Sequence, residues 1–178
     1  MSRPTFMYFS YGSNLLKERL LLRNPTAVFQ SIANLQDYKL AFEAIQDPKR
    51  SRWHGSVATI VEKSGANVWG AVWELDVKDL PNLDRQEGIY KGFDVKVVSS
   101  EGQELICRTY KLDKTGDPAF DSRPSPHYKD VILRGARELQ LPDDYLKFLQ
   151  NIPDNGYQGT VEVYEEVLKM LGEKGGKM

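Results

Sequence analysis

The chain has 178 residues, 40% hydrophobic and 28% charged, an ordinary globular balance and enough length to close a core of its own. Lys and Arg number 24 against 25 Asp and Glu, a formal charge of −1. With no basic stripe beyond the short loop Lys49-Arg50-Ser51-Arg52, this argues against a nucleic-acid partner. Cys107 is the only cysteine, so an intrachain disulfide is excluded, and it sits in a strand-like run where an inert buried thiol is expected. The two histidines, His54 and His127, lack acidic or thiol neighbours at metal-ligand spacing. The short polar N-terminus has no apolar leader, and no stretch is apolar for long enough to span a bilayer. The expectation is a single domain over 1–178, soluble and cytoplasmic, whose last residues (about 172–178) form a frayed Lys- and Gly-rich tail.

Along the chain, Thr5–Ser10 reads as a first strand, followed by a short helix over Leu15–Arg23 that stops before Pro25. Ala27–Leu35 and Asp37–Ala44 read as two extended runs, and Gln46–Arg52 as a polar loop. Ser56–Glu62 and Val68–Leu75 are rich in β-branched and aromatic residues and predict a hairpin about Lys63–Asn67. A short helix follows over Asp79–Glu87, with Asp79 as its cap, Pro81 near its start and Gly88 at its end. Phe93–Ser99 and Glu104–Leu112 predict a second hairpin. Asp113–Pro126 holds three prolines and no periodicity, a loop long enough to suggest a lid. Tyr128, Val131, Ile132, Gly135, Ala136 and Leu139 then recur at helical spacing, and Asp143–Gln150 predicts another helix. Successive hairpins favour an α+β fold with an antiparallel or mixed sheet, curled into a barrel.

Two places carry chemical interest. Tyr8-Phe9-Ser10-Tyr11-Gly12-Ser13-Asn14 runs from strand to helix through a glycine. Such a turn leaves backbone N–H groups without partners, which suit an anion. The same letters also suit a plain N-cap at Ser13 or Asn14. Glu87 stands where a helix breaks into a loop, beside Tyr90 and Phe93, and can be either a catalytic carboxylate or a solvated helix end. Tyr110 and Tyr128 can be core residues or ligand contacts. Motifs for nucleoside phosphates, dinucleotides, zinc hydrolysis or a nucleophilic serine are lacking.

Five blocks, Tyr8-Phe9-Ser10-Tyr11-Gly12-Ser13-Asn14-Leu15-Leu16, Trp53-His54-Gly55, Val68-Trp69-Gly70, Leu83-Asp84-Arg85-Gln86-Glu87-Gly88 and Pro124-Ser125-Pro126-His127-Tyr128, together resemble the γ-glutamylcyclotransferase family. They stand in the family's order and run through nearly the whole chain. The resemblance implies a mixed β-barrel flanked by helices, a homodimer, and cofactor-free conversion of γ-glutamyl amino acids to 5-oxoproline plus the free amino acid, a step of glutathione metabolism. It implies Glu87 as the catalytic residue and Tyr8, Phe9, Ser10, Tyr11, Gly12, Ser13 and Asn14 as the substrate-binding loop, with Tyr110 and Tyr128 as further contacts. One departure stands out: where the family carries a tyrosine shortly after the glutamate, this chain has Phe93, with Tyr90 earlier. Relatives acting on glutathione or on γ-glutamylamines, and a non-catalytic homologue, are the competing readings. A substrate panel separates them.

Overall fold

The computed structural model describes residues 3–86 and 88–172, so the expected fraying of the tail and the side chain of Glu87 lie outside the described residues. Strand β1 (Thr5–Ser10) leads through Tyr11–Gly12 into a 3-10 turn at Ser13–Leu15 and a short helix α1 (Lys17–Leu21). The helix expected over Leu15–Arg23 is therefore split, because Leu16 is extended (φ −84°, ψ 117°) and interrupts it. Strands β2 (Val28–Glu43) and β3 (Val57–Asp76) follow, then helix α2 (Leu80–Gln86), β4 (Tyr90–Ser99) and β5 (Glu104–Leu112). Three helices complete the chain: α3 (Pro126–Glu138), α4 (Asp143–Gln150) and α5 (Glu162–Met170).

The strands close into a barrel in the order β1-β3-β2-β4-β5, antiparallel throughout except where β5 returns beside β1 in parallel at Tyr8↔Arg108. Most of the wall is one long pairing of β2 with β3, from Val28↔Glu74 to Glu43↔Val57. This corrects the expected hairpin: both of its arms pair with β2 rather than with each other. Residues 63–66 bulge instead, opposite Asp37, which adopts φ 65° and accepts a hydrogen bond from the Gly65 amide (3.1 Å). The two runs expected around Asp37 are correspondingly one bent strand. The β4–β5 hairpin forms as expected, although β4 starts three residues earlier than Phe93.

The barrel interior and the helix-facing wall share one core, in which Phe9, Leu20, Trp73, Leu75, Leu83 and Ile132 are almost fully buried. Helix α3 turns Val131, Ile132, Gly135 and Ala136 inward, and its first turn is capped by Ser125, whose hydroxyl accepts from the Tyr128 amide (3.2 Å). Ahead of α2 a 3-10 turn, Val77–Asp79, carries its own cap. Asp76 accepts from the Lys78 amide (2.9 Å) there, while Asp79 is buried against the Thr26 hydroxyl. Helix α5 buries Tyr164, Val167 and Leu168. Among the described residues, no helix is long and apolar enough to cross a membrane.

Candidate active site

A cavity of about 730 Å³ opens where the end of β1 meets α2, β4, β5 and the start of α3. Its wall is built first by the turn after β1. Tyr8 lies in the last half of that strand, paired on one side with Trp73 and on the other with Arg108, so its ring is fixed from both neighbours. Its hydroxyl accepts from Asn14 Nδ2 (3.0 Å), and the Asn14 carbonyl accepts from Ser10 Oγ (3.1 Å). Ser10 Oγ also accepts from Trp73 Nε1 (2.9 Å). The turn is thus tied down from inside by buried side chains. Tyr11 lines the cavity and donates its hydroxyl hydrogen to the Tyr110 carbonyl.

Of the seven residues expected in the binding loop, Tyr8, Tyr11, Gly12, Ser13 and Asn14 line the cavity. Phe9 points into the core and is fully buried, its carbonyl accepting from Thr109 Oγ1 (2.8 Å), and Ser10 serves as the pin just described. Alternation along a strand explains Phe9, since Tyr8 and Phe9 face opposite sides of β1, while Ser10 is engaged by its bonds to Trp73 and Asn14. Neither Ser13 nor Asn14 caps a helix: the first bonds of the 3-10 turn run from Leu15 N to the Gly12 carbonyl (3.0 Å) and from Leu16 N to the Ser13 carbonyl (3.2 Å). A three-residue turn and a five-residue helix offer little macrodipole, so any attraction for an anion here rests on local N–H groups and nearby cations.

Those cations are present. Arg19, Arg50, Arg52, Arg85 and Lys114 line the cavity against Asp47 and Asp113 among the described residues. Arg19 is buried and its guanidinium lies 5.8 Å from the centre of the Trp53 ring. The loop holding Arg50 and Arg52, read from sequence only as a short basic, polar loop, is therefore part of the wall. Its composition is that of any polar loop, and only the barrel's closure reveals which face it turns inward.

Three tyrosines complete the site. Tyr128 lies on the first turn of α3 and accepts from the Ala58 amide (3.0 Å), while Tyr90 on β4 donates to the Ala58 carbonyl (2.7 Å), so one residue of β3 is bracketed from both sides. Tyr110 on β5 meets the edge of Tyr8, ring centres 6.0 Å apart, and donates to Asp84 on α2. Tyr90 lines the cavity; Phe93 instead packs beside Tyr38 with Lys111 over its ring, which resolves which of the two occupies the wall. Glu87 lies outside the described residues, but Arg85 and Gly88 on either side of it both line the cavity. Among the described residues, no group of His, Cys, Asp or Glu is arranged to hold a metal ion. From the long loop, Asp113 and Lys114 reach the cavity, and Gly116 anchors that loop by donating to the Ala44 carbonyl (2.8 Å).

The closed mixed barrel thus carries a cavity lined by tyrosines and cations, and residues 67–149 match the model of the AIG2-like family. The chain is 46% identical over 171 residues to the gamma-glutamylcyclotransferase of Bos taurus, covering 93% of this chain and 88% of that one. It is 44% identical to the Homo sapiens gamma-glutamylcyclotransferase over the same shares. A solved structure described as a gamma-glutamyl cyclotransferase superposes with a TM-score of 0.86 at 42% identity, covering 93% of this chain and 99% of that one. The chain belongs to the γ-glutamylcyclotransferase family and is an enzyme of the cyclotransferase type.

Proposed function

We propose that this chain converts γ-glutamyl amino acids to 5-oxoproline and the free amino acid, as a cytoplasmic homodimer serving glutathione metabolism. The observation that supports it is the meeting, in one cavity, of the Tyr11–Asn14 turn with the residues on both sides of Glu87. The substrate's α-carboxylate lies on the backbone N–H groups of the turn, with the cationic wall favouring its charge. Glu87 takes a proton from the α-ammonium, and the freed amine attacks the γ-carbonyl of the same molecule. A C–N bond forms, closing the five-membered lactam, and the bond to the departing amino acid breaks. The attacking nitrogen goes from three hydrogens to one and the leaving nitrogen from one to three, so Glu87 passes protons between them and ends as it began.

Nucleophile and electrophile belong to one molecule, so the enzyme's main task is to fold the substrate. Such preorganisation lowers a barrier by about 7–11 kcal/mol in favourable intramolecular systems. The test is Glu87→Gln, assayed for 5-oxoproline release from γ-glutamyl-alanine. A loss of at least about a hundredfold in kcat is expected of a removed acid–base group, and undiminished turnover would refute the role of Glu87. A panel with glutathione and γ-glutamyl-ε-lysine separates the competing substrates, and γ-glutamyl-alanine should be turned over with the highest kcat/KM.

A further inference from the structure

The cyclisation needs a free amine held in one orientation, and a three-residue network behind Tyr110 bears on that. Asp84 Oδ1 accepts from Arg108 Nε (3.1 Å), from Arg108 Nη2 (3.0 Å) and from the Tyr110 hydroxyl. Arg108 Nε also reaches the Tyr110 oxygen (3.1 Å), and the guanidinium lies 5.3 Å from the centre of the Tyr110 ring. Space for this is made across the hairpin. Gly92 is the register partner of Tyr110, and a Cβ there would stand 2.4 Å from Arg108 Nη2 and 3.1 Å from the Tyr110 ring. The carbonyl of Tyr110 accepts from Tyr11, so the same residue links α2 to the turn after β1.

A phenol has one hydrogen to give. Here it goes to Asp84, and the tyrosine oxygen, which already accepts from Arg108 Nε (3.1 Å), has one lone pair left and can only accept. Burial, and then the Asp84 bond, push the Tyr110 pKa well up, so the hydroxyl keeps that hydrogen across the working pH range. A ligand group that meets this oxygen in the cavity must donate, as an amine does and a carboxylate does not.

We propose that Asp84 and Arg108 are positioning residues for the cyclisation, holding Tyr110 so that its oxygen accepts from the substrate's α-amine and fixes that amine for attack. The proposal rests on the cyclotransferase reading given above. Tyr110 is the residue that touches substrate; Asp84 and Arg108 act through it.

The test is a double-mutant cycle with Asp84→Ala and Tyr110→Phe, read as 5-oxoproline release from γ-glutamyl-alanine, with thermal melting recorded for each protein. Asp84 is 42% exposed at its side chain, so the alanine variant is expected to fold. Asp84→Ala should lose about tenfold in kcat/KM, the scale of a charge-assisted hydrogen bond, while Asp84→Asn, which keeps an acceptor, recovers most of it. In the Tyr110→Phe background the same alanine change should cost less than about twofold, because coupled residues do not add. N-glutaryl-alanine, which lacks the amine, should inhibit wild type and Asp84→Ala equally. Equal losses in both backgrounds, or a parallel loss of N-glutaryl-alanine binding, overturn the proposal and leave the cyclotransferase reading standing. Wild-type protein that releases no 5-oxoproline overturns that reading and the proposal with it. Should Asp84→Ala melt far below wild type, Arg108→Gln takes its place with the same expected outcomes.

Discussion

Several residues of this enzyme are chosen for what they leave out. A Cβ on Gly70 would stand 2.1 Å from the Ser10 carbonyl and 2.7 Å from the Phe9 ring, so β3 passes β1 only because that atom is missing. Gly70→Ala must push backbone against backbone, and a loss of about 1–3 kcal/mol of stability in urea unfolding is expected, at the upper end because backbone cannot swing aside. Gly12 is different: a Cβ there would meet Ala58 and the Tyr128 hydroxyl at 3.4 and 3.5 Å, close to ordinary contact. Gly12→Ala should keep near-normal KM, whereas Gly12→Val brings methyls against Tyr128 and the cavity, raising KM for γ-glutamyl-alanine several-fold; a valine variant with normal KM would contradict the turn's role. Cys107 is buried in β5, and burial first, with Asp94 second, pushes its pKa up to about 12. A thiol reagent at pH 8 should leave it untouched in the native protein and label it fully on unfolding.

At the scale of elements, local signals were strong where one element satisfies itself. The β4–β5 hairpin, α3 and α4 are all readable from turn residues, capping and apolar spacing, as with Ser125 and Pro126 at the start of α3. They failed where two alternatives share a pattern. The β-rich segment 56–75 scans as a hairpin about Gly65, yet pairing both arms with β2 satisfies more backbone and continues the barrel wall. Asp37 decides the geometry by bending β2 at the same point. Helix α3 presses on the turn beyond β1 so closely that a Cβ on Gly135 would stand 2.5 Å from the backbone of Leu15 and Leu16. Gly135→Ala should therefore lose stability despite the better helix propensity of alanine, and a variant that melts above wild type would show that the contact yields easily.

The whole molecule brings both histidines together although the sequence sets them far apart. His54 stacks on Tyr157 (ring centres 4.6 Å apart), and His127 meets the edges of Tyr157 and Tyr164. Burial lowers the His127 pKa below its ordinary 6.5, outweighing Glu165 and Asp130, while His54 adds to the lowering. The unfolded chain then binds the proton more readily than the folded one, so the stability from a neutral His127 is complete above pH 6.5 and declines as pH falls below it. Denaturation midpoints from pH 8 to 5 should fall for wild type and flatten over that window for His127→Gln. Apolar spacing and turn chemistry by themselves determined an α+β chain with a strand-to-helix turn at Tyr11–Asn14, because each is a local pattern, and the resemblance carried by the five motif blocks added the cyclotransferase barrel and the role of Glu87. Only the tertiary structure decided that Phe9 faces the core, that Tyr90 rather than Phe93 lines the cavity, that the Arg50–Arg52 loop is a wall, and that Asp84 and Arg108 stand behind Tyr110. Those facts depend on β1 pairing with β5 and on Asp84 of α2 meeting Tyr110 of β5, contacts between residues far apart in the chain that no local spacing encodes.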